Sequence, residues 1–237
     1  MISEKIAKFE EQAVKFNFVK DNLNDIPVMK YNGRNNKFFV PTIIPKTKIV
    51  LHHTAGNLYG DMLTLTKDTL VSVAYIIGRN GTILQLFDPR FWSYHLGKGA
   101  LGGNIQQSQM SIGIEISNYG WLIERDGILY TYLKDKNGLY NSSYCKVTDT
   151  HLYMKTETPY RGQSYFATYT EEQYGALKRL LVYLTTVFKI PYEFLPVNER
   201  LEFTKNVISF KGIVTHVNYR SNGKWDVSPA FDWSKII

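Results

Sequence analysis

The chain has 237 residues, enough for one large domain with a proper core, and its apolar (44%) and charged (21%) fractions are those of an ordinary globular protein. Lys and Arg exceed Asp and Glu by 28 to 21, which suits an anionic partner, but no run of five basic residues or nucleic-acid fingerprint occurs, so nucleic acid is not expected. The single cysteine, Cys145, excludes an internal disulfide and a cysteine-rich metal cage, and a reactive thiol is not expected of it. No stretch approaches the ~20 apolar residues of a membrane span. The start, MISEKIAKFEEQAVKFNF, lacks a signal peptide's apolar core, so synthesis as a soluble cytoplasmic chain is expected.

Ser3 is positioned to cap a first helix with Ile6, Phe9, Ala13 and Phe16 on its apolar face. Residues 17–46, broken by Pro27, Pro41 and Pro45, read as irregular, and 1–46 as an N-terminal extension packed on a main domain of 47–237. Lys48 to His52 reads as a buried strand and 61–70 as a helix. VSVAYIIGRNGTILQLFD then forms a hairpin turning at Arg79-Asn80-Gly81. SIGIEIS, residues 111–117, alternates as a strand, with Glu115 among isoleucines. Residues 119–168 read as an inserted hairpin or long loop region. Thr170 and Gln173 form a capping box ahead of a helix striped by Tyr174, Leu177, Leu181, Leu184 and Phe188 and stopped before Pro191. A weaker helix is expected over 196–208 and a last strand over 212–216. The whole implies an α/β fold: a single mixed β-sheet flanked by helices.

Of five histidines, His52 and His216 stand at the C-terminal ends of strands, where open α/β sheets place their ligand crevice. Asp226 returns across the Asn/Ser/Gly loop after His216 and supplies a third donor. Two imidazoles and a carboxylate leave one corner of a tetrahedral metal open, the pattern of a catalytic zinc site. Strand alternation points His53 away from that site, and His151 reads as ordinary surface.

VLHHTAG, SIGIEISN and GIVTHVNYRSNGKWD, in this order, resemble the zinc-dependent N-acetylmuramoyl-L-alanine amidases, relatives of peptidoglycan-recognition proteins and phage lysins. The resemblance covers roughly 47–118, 170–189 and 212–233. It implies one zinc ion on His52, His216 and Asp226. It also implies Glu115 as the general base for the attacking water, and Lys224, two residues before the aspartate, as the oxyanion stabiliser. One branch carries a catalytic tyrosine where this chain has Val73, which puts more weight on Glu115. His95 falls in a region lining the substrate groove of relatives; Trp92, Tyr94 and Trp121 are candidates to stack on sugar or peptide.

The implied activity is cleavage of the amide between N-acetylmuramic acid and L-alanine in peptidoglycan, by a monomeric antimicrobial lysin, phage-released or virion-borne. The rival readings are a peptidoglycan-binding module of the same fold without hydrolysis, and a zinc hydrolase of an unrelated amide.

Overall fold

The computed structural model describes residues 2–237, with side chains from Ile6 onward. The Ser3 cap therefore lies outside the described side chains. Two sheets organise the chain. The central one has seven strands. In chain order these are β1 (Phe18–Leu23), β2 (Ile26–Tyr31), β3 (Lys48–His53), β4 (Tyr75–Ile77), β5 (Ile83–Gln85), β6 (Ser111–Ile116) and the last strand of the chain, β12 (Gly212–Thr215). Their spatial order is β1-β2-β5-β4-β6-β3-β12. The pairs β4–β6, β6–β3 and β3–β12 are parallel, whereas the β4–β5 hairpin is antiparallel. The single mixed sheet with flanking helices is thus present, extended by two strands.

Those two strands correct the reading of 17–46 as irregular. β1 and β2 form an antiparallel hairpin, and β2 adds in parallel to β5 through Met29 and Lys30. Pro27 lacks an N–H, but it sits ahead of the residues that pair with β5 and costs that ladder nothing.

Side-chain parity on the central strands separates two cores. Ile49 and Leu51 of β3, Ile112, Ile114 and Ile116 of β6, and Ile213 of β12 face one side. There they pack on Leu177, Leu180, Leu181 and Leu184 of α4 (Glu171–Phe188). That helix begins at the expected box: the Thr170 hydroxyl accepts from the Gln173 N–H at 3.1 Å, and the Gln173 side chain accepts from the Thr170 N–H at 3.1 Å. Val50 and Val214 face the other side with Leu96, Leu195, Val207 and Tyr219.

Three shorter helices accompany α4: α1 (Ile2–Ala13) and α2 (Leu58–Leu65), whose Ala13, Leu58 and Met62 join the first core, and α3 (Asn104–Gln109), whose Gln107 side chain accepts from buried Lys48. α2 starts earlier than the expected 61–70 because the Asn57 side chain caps it, accepting from the Gly60 N–H at 3.1 Å. The helix expected over 196–208 is absent apart from a 3₁₀ turn, Lys205–Ile208. The Asn218 amide donates to the carbonyls of Glu199 and Glu202 (both 2.8 Å), and buried Lys48 donates to those of Val207 and Ile208. Carbonyls a helix would use are thereby engaged elsewhere.

The region 119–168 holds more than a hairpin. It forms a second, antiparallel sheet of β7 (Trp121–Arg125), β8 (Ile128–Thr131), β9 (Ser143–Lys146), β10 (Tyr153–Tyr160) and β11 (Gln163–Ala167), in the order β10-β11-β7-β8-β9. Its own core gathers Tyr119, Leu122, Leu129, Tyr144 and Ala167. No helix among the described residues is long and apolar enough to cross a membrane.

Candidate metal centre and cleft

The parallel register places the site. His52 lies opposite Glu115 across the β3–β6 pair, on the same sheet face as Val50 and Gly113. His216 follows Thr215 at the end of β12, with the parity of Val214, so it faces the same way. Asp226 reaches this point from the following loop, its backbone carbonyl accepting from the Val217 N–H at 3.1 Å. His52, His216 and Asp226 are all buried.

Their donor atoms form a tight triangle. His216 Nδ1 lies 2.8 Å from Asp226 Oδ2, His52 Nδ1 lies 3.2 Å from the same oxygen, and the two Nδ1 atoms are 2.9 Å apart. The surrounding hydrogen bonds assign the tautomers. His216 Nε2 is 2.9 Å from the Leu96 carbonyl, so Nε2 carries the proton and Nδ1 is bare. The Ser111 hydroxyl donates to the Gln107 carbonyl at 2.7 Å, so it accepts from His95 Nε2–H at 3.0 Å. His95 Nδ1 is then an acceptor and takes a proton from His52 Nε2–H at 3.0 Å, leaving His52 Nδ1 bare as well.

Three lone pairs therefore converge with no proton between them. Protonating His52 is disfavoured: burial pushes its ring down to about 4, against the pull of Asp226. A cation resolves the frustration. Ligand atoms on a tetrahedral zinc stand about 3.3 Å apart, slightly wider than this triangle. Among the described residues His52, His216 and Asp226 are the group able to hold a metal ion.

A cavity of about 330 Å³ opens onto the triangle, lined among others by Glu115, Lys224, Trp121, Tyr132 and Trp225. Glu115 is half-buried, and its Oε2 is fully enclosed with no hydrogen-bond partner among the described residues. Burial, then the charges of Asp226 and Asp61, raise its carboxyl well above the usual range, and Lys224 opposes them. An enclosed, unpartnered carboxylate oxygen beside three bare donors suits a site whose remaining member is a small polar group.

Other sequence candidates are placed differently. His95 borders the cavity, but it is buried and both ring nitrogens are engaged, so it orients His52 and does not present a free edge to substrate. Gly113 makes this possible: a Cβ there would stand 3.2 Å from the His95 ring and 2.9 Å from Val73. Trp92 and Tyr94 pack edge-to-face on each other at 5.2 Å and lie outside the cavity lining. Val73 is buried in the wall and offers no hydroxyl.

His53 Nδ1 lies 3.1 Å from the Tyr169 hydroxyl. Cys145 is buried, and its thiol is pushed up to about 12, first by burial and then by Asp149; His151 is exposed.

Tyr132 and Trp225 were not singled out from sequence. Trp121 stacks on Tyr132 (4.6 Å, 17°) and lies tilted against Trp225 at 6.0 Å, forming an aromatic wall. Trp225 sits between Lys224 and Asp226 in GKWD, a usable signal; Tyr132 enters only through the fold of the second sheet.

Fold and site together define an α/β protein whose cleft at the strand ends gathers a donor set able to hold a metal ion. Residues 44–229 match the sequence model of the Amidase_2 family, N-acetylmuramoyl-L-alanine amidase. The chain belongs to that family.

Among solved structures it is similar to the N-acetylmuramyl-L-alanine amidase AmiD from E. coli, in complex with anhydro-N-acetylmuramic acid-L-Ala-D-gamma-Glu-L-Lys. The identity is 19%, with 93% of this chain and 64% of that one covered and a TM-score of 0.50. The chain thus spans just under two thirds of AmiD's length. It is also similar to AmpDh3 from Pseudomonas aeruginosa (18% identity, 87% and 63% covered, TM-score 0.46). A third match is the amidase LysC from Clostridium intestinale (13%, 87% and 92%, 0.43). No curated protein sequence matches.

Proposed function

We propose that this chain hydrolyses the amide joining N-acetylmuramic acid to L-alanine in peptidoglycan, with one zinc ion on His52 Nδ1, His216 Nδ1 and Asp226 Oδ2. The observation that carries the reading is the convergence of three bare donor atoms beside the enclosed, unpartnered Oε2 of Glu115. When bound, zinc supplies Lewis acidity, polarising the scissile carbonyl and acidifying water.

The protein's own groups do the rest. Glu115, one strand over from His52, takes the proton of the attacking water and passes it to the departing amine. Lys224, on the cavity wall, offers an ammonium to the oxyanion that develops on the former carbonyl. His95 and the Leu96 carbonyl keep both imidazoles in the tautomer a cation needs. Trp121, Tyr132 and Trp225 offer apolar faces to sugar or peptide.

The proposal extends to a monomer acting as a phage-type lysin, free or virion-borne. The net charge of +7 favours its approach to an anionic envelope. A binding-only module would have no need of a complete ligand triangle with a carboxylate poised beside it.

The test is Glu115→Gln assayed on purified sacculi, with metal content measured in parallel. Turnover should fall about 10²–10⁴-fold with zinc retained, and chelation should abolish clearing by the parent enzyme. Clearing that survives chelation, or fragments cut at another bond, would refute the reading.

A further inference from the structure

The loop carrying Lys224 and Asp226 is gripped from outside the central sheet. At the tip of the β10–β11 hairpin, Tyr160 and Gln163 close a two-residue turn, and Arg161 and Gly162 both adopt left-handed backbone (φ 49° and 82°). The Arg161 guanidinium Nη1 donates to the carbonyl of Arg220 at 3.0 Å and to that of Lys224 at 2.9 Å. In return, the Trp225 indole N–H donates to the Arg161 carbonyl at 3.1 Å. The Tyr160 hydroxyl donates to the Leu201 carbonyl at 2.6 Å, and the Arg161 guanidinium lies 5.6 Å from the Tyr160 ring centre. One turn residue thus brackets residues 220–225 from both ends. Ser221, Asn222 and Gly223 between them are exposed, so burial contributes little to holding this stretch.

Asp226 is fixed independently. It is buried, and its carbonyl is tied to the Val217 N–H. The part of the loop that depends on Arg161 is therefore the part bearing Lys224.

We propose that Arg161 is a positioning residue: by bridging the carbonyls of Arg220 and Lys224 and accepting from Trp225, it holds Lys224 on the cavity wall without contributing to metal binding. The clamp is a statement about the loop; its catalytic consequence rests on the amidase reading.

The test uses Arg161→Asn, since asparagine tolerates the left-handed backbone that alanine resists, with Trp225→Phe as a second variant that leaves the turn untouched. Hydrogen exchange is followed over 212–226, zinc content is measured, and kcat and KM are determined on purified sacculi. In Arg161→Asn, exchange over 220–225 should quicken while 212–217 stays protected. Zinc content should match the parent, and kcat should fall about 10-fold or more with KM within about twofold. Trp225→Phe should shift in the same direction by less.

Unchanged exchange over 220–225 overturns the clamp, and in Trp225→Phe it does so even if Arg161→Asn fails to fold. Faster exchange with unaltered kcat, or loss of zinc in step with activity, overturns the assignment to Lys224 positioning. A parent enzyme inactive on sacculi would sink the amidase reading, and loop exchange alone would then decide the clamp.

Discussion

The two sheets meet at the cleft but are built on different terms. Every residue of β3 is buried, and its register against β6 and β12 fixes His52, Glu115 and His216 on one face. In β10 only intermediate and exposed residues occur, yet the tip of its hairpin holds the loop that bears Lys224. Two of the three donors for a cation, His52 and His216, come from the ends of strands closed on both faces, where a displaced backbone would disturb two cores. The opposite wall comes from a sheet with one small core, whose exposed face can vary without disturbing the ligands. Rigid placement of donors and adaptable shaping of the cleft are thus assigned to separate layers.

The division can be tested from both sides. The largest effect should come from the central sheet. His95→Ala removes the acceptor that keeps His52 Nε2 protonated, so zinc affinity should drop about 10–100-fold, read by competition with a chelator, while the fold persists. Unaltered affinity would mean that His52 keeps its tautomer without help.

Trp121→Ala probes the second sheet. Loss of a stacking face worth about 1 kcal/mol should raise KM roughly fivefold and leave zinc content alone. A fall in zinc content would show that the layers are not independent.

A third probe is Asp61, buried under the ligand end of the central sheet with the Ser117 hydroxyl donating to it at 3.3 Å. Burial pushes its carboxyl up to about 8 from 3.8, partly offset by Thr54 and Ser117. A group with a raised folded-state pKa favours the fold below its unfolded value and loses that contribution as pH rises through the folded one. The parent should therefore lose stability between about pH 4 and 8 relative to Asp61→Asn. The difference in Tm between the two, followed by calorimetry, should widen with pH across that window; a constant difference would contradict the assignment.

Much of the central layer was legible because its signals are local. The β3 run ending in two histidines, the isoleucine alternation around Glu115 and the Thr170–Gln173 box each specify a short element through side-chain period or capping chemistry. The register bringing His52 opposite Glu115 is a pairing between distant segments, and only the fold supplies it. The role of His95 was hidden for the same reason, since its partners His52 and Ser111 stand 43 and 16 residues away.

The second sheet was under-read. Its strands are mixed in polarity and Tyr-rich, although Asp126-Gly127, with both residues left-handed, is a hairpin signal in plain view between β7 and β8. The β1–β2 hairpin escaped because four of the six β1 residues are exposed, so no apolar stripe marks it.

That hairpin also settles how the long sheet ends. A bare strand margin is a template on which another molecule can polymerise. Here the β5 margin is covered by β2, and the outermost strand carries exposed Lys20 and Asp21. At the far side, Phe194 bridges to Ile213 and shields β12. Copies crowded together thus meet a charged margin on one side and a partly covered one on the other, and removing the leading forty residues would bare β5 as a seam for zipping into fibres.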